Sequence, residues 1–229
     1  MLNHRLRCLY IHIPKTAGNS INRAFGLDWE DHKDLRRYAA ELSPADFARY
    51  YKFAIVRNPW DRLLSEFNYQ RKKSRPGASR LGVLTATRAT RRFRDWVRLV
   101  LATPEAWPAS TWGGAVSPGI HRWSPQVDWI SLDGRIAVDR VLRLERLKHE
   151  FPGVCRDLGV PALPLPHRNR RRHWHYSWYY DAATRELVAQ YYRSDLEAFG
   201  YEFDSQPARA WNLTQRWAAS FVLWYGARR

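Results

Sequence analysis

The sequence predicts an α/β fold in which helices flank a central, mostly parallel sheet, and three observations predict it. Short β-branched and aromatic runs alternate with longer helical patterns along the chain. Two of the runs, residues 9–13 and 52–56, are apolar without alternation, as strands buried on both faces are. Helix-start chemistry follows each of them, with Ser20 after the first and the pair Asn58-Pro59 after the second.

The elements follow in order. Residues 9–13 form a strand that ends at Pro14, residues 14–19 turn, and a helix begins at Ser20 and stops at Gly26. Residues 33–42 are helical in composition, and Ser43-Pro44 caps a further helical turn reaching Tyr50. After the strand at 52–56, the helix opened by Pro59 runs to about residue 72. A basic loop at 73–89 leads to an amphipathic helix at 90–102, with Phe93, Trp96, Val97 and Val100 on one face. A Pro-, Gly- and Trp-rich loop occupies 103–125, and loops of that length usually carry function. Asp133-Gly134 is a turn, 138–144 a strand, 145–158 a helix containing Pro152, and 159–178 a second long basic loop. Residues 181–199 read as one helix capped by Gly200.

Composition bounds the function. The 229 residues suffice for one substantial core, so the division expected is a main domain at 1–206 and a tail at 207–229. The tail carries Trp211, Trp217, Phe221, Val222 and Trp224 at near-helical spacing. Such a stripe packs on its own domain or on a partner, which leaves room for a homo-oligomer; an interfacial membrane helix is the alternative. The net charge of +16, mostly arginine, attracts anions, although a preference for Arg codons would produce the same bias. Two cysteines, Cys8 and Cys155, make no disulfide framework and suit buried thiols in a reducing compartment. There is no signal-peptide pattern, and no apolar run approaches the ~20 residues that span a bilayer. The expected location is the cytoplasm.

The chemistry concentrates in two segments. In Ile13-Pro14-Lys15-Thr16-Ala17-Gly18-Asn19-Ser20 a strand ends, a turn carries one lysine and one glycine, and a helix starts. First-turn N–H groups, the helix dipole and a lysine together make an anion site. Lys15 precedes Gly18, so the spacing is not that of the usual ATP-binding loop, and a Pro-initiated turn with a solvated lysine is the plain alternative. In the second segment, Phe53-Ala54-Ile55-Val56-Arg57-Asn58-Pro59-Trp60-Asp61-Arg62-Leu63-Leu64-Ser65, an arginine stands at the carboxyl end of a buried strand. Parallel sheets bind nucleotides at that edge.

Together the two segments resemble the 5'-phosphosulfate and 3'-phosphate motifs of the sulfotransferase family, in the branch of the Golgi carbohydrate sulfotransferases and their soluble bacterial relatives. Weaker similarities follow in the same order at Pro125-Gln126-Val127-Asp128-Trp129, Arg143-Leu144-Glu145, Leu165-Pro166-His167-Arg168-Asn169, and from Asp195 to Gly200-Tyr201. The resemblance implies a P-loop-like fold. It also implies a donor, 3'-phosphoadenosine-5'-phosphosulfate (PAPS), whose sulfuryl group passes to a hydroxyl or amine acceptor, such as a carbohydrate or a small metabolite, without a metal. Lys15, Thr16, Ala17, Gly18, Asn19 and Ser20 would hold the 5' end, and Arg57 and Ser65 the 3'-phosphate. Asn19 stands where relatives often carry Thr or Ser.

A hydroxyl acceptor needs a base, and histidine titrates near working pH. His32 is the first candidate and His121 the second, whereas His12, inside the strand, reads as a packed residue. Trp107, Trp112 and Trp123 are candidates for an acceptor wall, with His121 and Trp123 as acceptor contacts. Arg170, Arg171 and Arg172 form either a lid, with Arg172 touching the acceptor, or a solvated loop. Arg62 reads as a helix-surface partner for Asp61 or Glu66. Two rival functions remain open: a nucleotide kinase using Lys15 with magnesium, and a non-catalytic polyanion or nucleic-acid binder driven by charge alone. Because the motifs carry the reading, nucleic acid is not the expected partner.

Overall fold

The computed structural model describes residues 1–27, 32–73, 92–104, 116–165 and 174–205. Its sheet has four strands in the order β1 (Leu2–Asn3), β2 (Cys8–Ile11), β3 (Tyr51–Val56) and β6 (Arg140–Arg143). β2, β3 and β6 are parallel, and only β1, at the edge, runs antiparallel. A separate hairpin pairs β4 (Ser131–Leu132) with β5 (Arg135–Ile136) through Asp133 and Gly134, whose φ angles of 49° and 75° suit a tight two-residue turn.

Both faces of the sheet are covered, which explains why its strands lack polar alternation. On one face Cys8, Tyr10, Phe53, Ile55 and Leu142 pack against α1 (Gly18–Phe25) and α7 (Leu147–Asp157), through Ile21, Phe25, Phe151, Val154 and Cys155. On the other, Leu9, Ile11, Ala54 and Val56 meet Leu35 and Tyr38 of α2 (Leu35–Glu41), Trp129 of α6 (Gln126–Trp129) and Phe199 of α9 (Arg193–Phe199). A second core joins α4 (Pro59–Lys73), α5 (Phe93–Ala102) and α8 (Ala182–Tyr191). It holds Trp60, Phe67, Phe93, Trp96, Val97, Val100, Trp123, Tyr180 and Tyr192. At about 25 cal/mol per Å², each such aromatic or aliphatic side chain contributes roughly 1.5–3 kcal/mol of burial.

Much of the cap chemistry read from the sequence is present, but Ser20 does not start α1: the helix opens at Gly18, its N-cap is Ala17 with no side-chain cap, and Ser20 lies inside the first turn. Ser43 accepts from Asp46 N–H ahead of α3 (Pro44–Arg49), and the Asn58 side chain accepts from Trp60 N–H at 3.1 Å. Gly26 and Gly200 close α1 and α9 in the left-handed conformation. Both cysteines are buried thiols. Further expectations change. The single helix expected at 181–199 is two, because Tyr192 (φ −102°, ψ 26°) leaves helical geometry and buries its ring in the second core. The short edge strand β1 was not anticipated, and two residues carry too little pattern to announce it. The tail at 207–229 and the loops holding Trp107, Trp112 and Arg170 to Arg172 lie outside the described residues.

Candidate functional site

Five consecutive carbonyls in the turn after β2 are each taken by a donor, three of them by side chains from outside the turn. Ile13 C=O accepts from Thr16 Oγ1 (2.8 Å), and Pro14 C=O from Arg62 Nε (3.3 Å). Lys15 C=O accepts from Arg57 Nη1 (3.2 Å), Thr16 C=O from the Tyr10 hydroxyl (2.9 Å), and Ala17 C=O from the N–H groups of Ser20 and Ile21 (2.8 and 3.2 Å). In a trans peptide the N–H points opposite to its carbonyl. Turning carbonyls 14–16 toward donors in the body, and carbonyl 17 into the first turn of α1, therefore aims the N–H groups of Lys15, Thr16, Ala17 and Gly18 the other way, the polarity an anion requires. The backbone reaches this shape through positive φ at two residues other than glycine, Lys15 (73°) and Ala17 (69°). Such angles cost roughly 1–2 kcal/mol each, which the five carbonyl contacts offset.

The second segment meets the first directly. Arg57 leaves the carboxyl end of β3, reaches the Lys15 carbonyl, and pairs with Asp61 through Nε (2.9 Å) and Nη2 (2.7 Å). A guanidinium has five N–H donors, so these three contacts leave two for a ligand. The Arg57 backbone is fixed from behind. Gln126 takes its N–H with Oε1 and gives Nε2–H to its carbonyl, both at 2.8 Å. Asp195, fully buried, holds Gln126 Nε2 (3.0 Å) and Val127 N–H (2.9 Å), and burial pushes its carboxyl upward in pKa. Glu145 accepts Asn58 N–H (2.7 Å) with one oxygen and the Tyr201 hydroxyl (3.0 Å) with the other. Three of the weaker sequence similarities thus converge on one turn as its support.

Asp61, Ser65 and Tyr69 recur every fourth residue along α4 and so share one partly exposed face. Lys15 Nζ lies 4.1 Å from the Tyr69 ring centre, a cation–π contact that places this face beside the turn. Tyr69 was not anticipated, although its spacing from Ser65 would have found it. Arg62 is a correction. It is 4% exposed and pairs with neither Asp61 nor Glu66. Its guanidinium instead links the Pro14 carbonyl to those of Arg122 (3.0 Å) and Ser124 (3.1 Å). Arg57 takes Asp61, and Arg122 takes Glu66 through a buried 2.9 Å ion pair. Burial raises the Glu66 carboxyl's pKa, but Arg122 and Lys15 outweigh it and hold the group below the ordinary carboxylate value. A small cleft lies here, lined by Pro14, Lys15, Arg62, Glu66, Arg122 and Trp123.

Of the histidines, His32 is part-buried and its Nδ1 lies 2.8 Å from the His12 carbonyl. A carbonyl only accepts, so Nδ1 carries a proton, and in the neutral ring the lone pair is at Nε2. His121 accepts Trp123 N–H at Nδ1 (3.3 Å) and meets the Tyr191 hydroxyl at Nε2 (3.4 Å), which ties its ring both to its own loop and to α8. Trp123 is 2% exposed and packs edge-on against Trp96, so it is a core residue bordering the cleft and not an open wall. Ser65 and Ser20 are part-buried and Asn19 is exposed, whereas the Thr16 hydroxyl is spent inside the turn. Arg172 lies outside the described residues. Among the described residues no group of three or more His, Cys, Asp or Glu is arranged to hold a metal, and no helix is long and apolar enough to cross a membrane.

Comparison with known proteins supplies a family. A sequence profile described as the sulfotransferase family matches residues 1–202. No curated protein and no solved structure matches the chain.

Proposed function

Since the chain belongs to the sulfotransferase family, we propose that it moves a sulfuryl group from PAPS to a hydroxyl or amine acceptor of the carbohydrate or small-metabolite class. One observation carries this reading: the turn at residues 14–18 presents backbone N–H groups beside a lysine, while Arg57 reaches over from the next strand to brace it.

The transfer is an in-line displacement in which positioning and charge supply most of the effect. The acceptor oxygen attacks sulfur, and the bond from sulfur to the bridging oxygen breaks. Charge develops on that oxygen, and Lys15 neutralises it after leaving the face of Tyr69. The N–H groups of Lys15 through Gly18, with those of the first turn of α1, hold the non-bridging oxygens. Arg57 offers its two remaining N–H groups to the 3'-phosphate, and Ser65, on the same side of α4, adds a hydroxyl. His32 Nε2 takes the acceptor's proton. The products are the sulfated acceptor and 3'-phosphoadenosine-5'-phosphate (PAP). The cationic surface favours an acidic acceptor.

The test is a screen of acceptor classes with sulfur-labelled PAPS, followed by mass analysis of the product. Label should reach a hydroxyl- or amine-bearing acceptor without added metal, and Lys15→Ala should lower turnover by about 10²–10³-fold. A strict magnesium requirement, with phosphate transferred from ATP, would replace this reading with the kinase one.

A further inference from the structure

His12 has no role in the reaction just described, yet it touches both the start of α1 at Gly18 and the candidate base His32. Its side chain is 93% buried at the end of β2, stacked on Tyr10 with ring centres 5.6 Å apart. The His32 ring lies 4.3 Å away on another side, and the His12 carbonyl accepts from His32 Nδ1 at 2.8 Å. Gly18 closes the third side. A Cβ placed on Gly18 would sit 1.9 Å from His12 Nε2 and 2.1 Å from Cε1, inside any permitted contact. Gly18 opens α1 and is not among the residues with positive φ, so backbone strain does not demand a glycine there. What demands it is the imidazole.

We propose that His12 is a positioning residue, an interlock whose ring fits against both Gly18 and His32 and whose carbonyl accepts from His32, so that the phosphate turn and the candidate base are set by one residue. The ring is wedged between an aromatic neighbour, the candidate base and the start of the helix, and packed interiors transmit such contacts without slack. A side chain at residue 18 would push the ring into Tyr10 or His32, and loss of the ring would free His32 to rotate. The inference rests on reading this turn as the donor site, and its test separates the two.

The test is a double-mutant cycle on the full chain, with PAP as the probe in calorimetry. Gly18→Ala should weaken PAP binding at least tenfold, because the new methyl displaces the ring. His12→Ala should weaken it only a few-fold. In the double variant the vacated ring volume accepts the new methyl, so affinity should return to within a few-fold of His12→Ala. Additive losses, or a Gly18→Ala protein that binds PAP normally, would overturn the interlock. If the unmutated protein fails to bind PAP, the donor-site reading falls, and thermal unfolding of the same four proteins then decides the interlock by the same recovery or its absence. A nitrogen NMR spectrum of the imidazoles gives a readout that loss of packing alone would not move. His32 should be protonated at Nδ1 in the parent protein; His12→Ala keeps the accepting carbonyl but removes the ring that packs His32 against it, so that tautomer should lose its dominance there. An unchanged tautomer would remove His32 from the proposal's reach.

Discussion

The turn at residues 13–17 and the turn at Arg57 and Asn58 face each other across the same sheet edge, but they are built differently. The Arg57 turn is clamped at its backbone by one side chain, Gln126, which Asp195 in turn anchors, while Glu145 holds the next N–H. The other turn carries two unfavourable backbone angles and is held by side chains arriving from β2, α4 and the end of β3. Both keep their shape only while elements distant in sequence stay in register. The first is clamped in an ordinary backbone conformation, whereas the second is propped in an unfavourable one. The difference teaches that the strained turn is propped by tertiary contacts, and that Arg57 is part of its scaffold as well as the proposed contact to the 3'-phosphate.

The largest effect should come from the shared strut. Arg62→Met strands three buried carbonyls and should cost about 3 kcal/mol or more in denaturant unfolding, against about 1–2 kcal/mol for Gln126→Ala. Equal losses would erase the contrast between the two turns. An Arg62→Met protein within about 0.5 kcal/mol of the parent would return Arg62 to the helix surface.

A smaller effect concerns acidity. Burial pushes the His12 pKa well below its ordinary 6.5, helped by the charges of His32, the Met1 ammonium, Lys15 and Arg122. The unfolded chain therefore binds a proton that the folded protein refuses. This contribution to stability is complete above about pH 6.5 and declines as pH falls toward the depressed folded value. Melting temperatures measured from pH 7.5 downward should fall below pH 6.5, and His12→Gln should flatten that part of the slope. An identical slope in the variant would show that the loss arises elsewhere.

The smallest effect tests the strain itself. Ala17→Gly places a permissive residue at φ 69° and should leave stability unchanged or raise it by up to about 1 kcal/mol, whereas Asn58→Gly in the clamped turn should lower it. A clear loss for Ala17→Gly would mean that its methyl, packed beside the sheet's core, outweighs the backbone cost.

Much of this was legible in the sequence, for local reasons. Strands at 9–13 and 52–56, and the caps at Ser43, Asn58 and Gly200, depend on neighbours within a few residues, so pattern and turn chemistry expose them. The adjacency of Lys15 and Arg57 was legible as well, because strand ends of a parallel sheet converge. Arg62 was misread for the opposite reason. On α4 it sits between Asp61 and Glu66, and nothing local says that two loops will bury it and offer three carbonyls. Trp123 stands in a loop that folds back into the second core, so its position suggested exposure that packing removes. The break at Tyr192 escaped notice because helical composition continues on both sides of it. His12 read as packing alone, since its contact with Gly18 spans the whole turn.

The account depends on the two turns gripping opposite ends of one doubly phosphorylated adenosine, and calorimetry tests it most directly. PAP should bind the parent protein at least tenfold more tightly than adenosine 5'-monophosphate, the 3'-phosphate being worth about 1.5–3 kcal/mol at Arg57, and Arg57→Ala should abolish that preference. Equal affinity of the parent protein for the two nucleotides would contradict it.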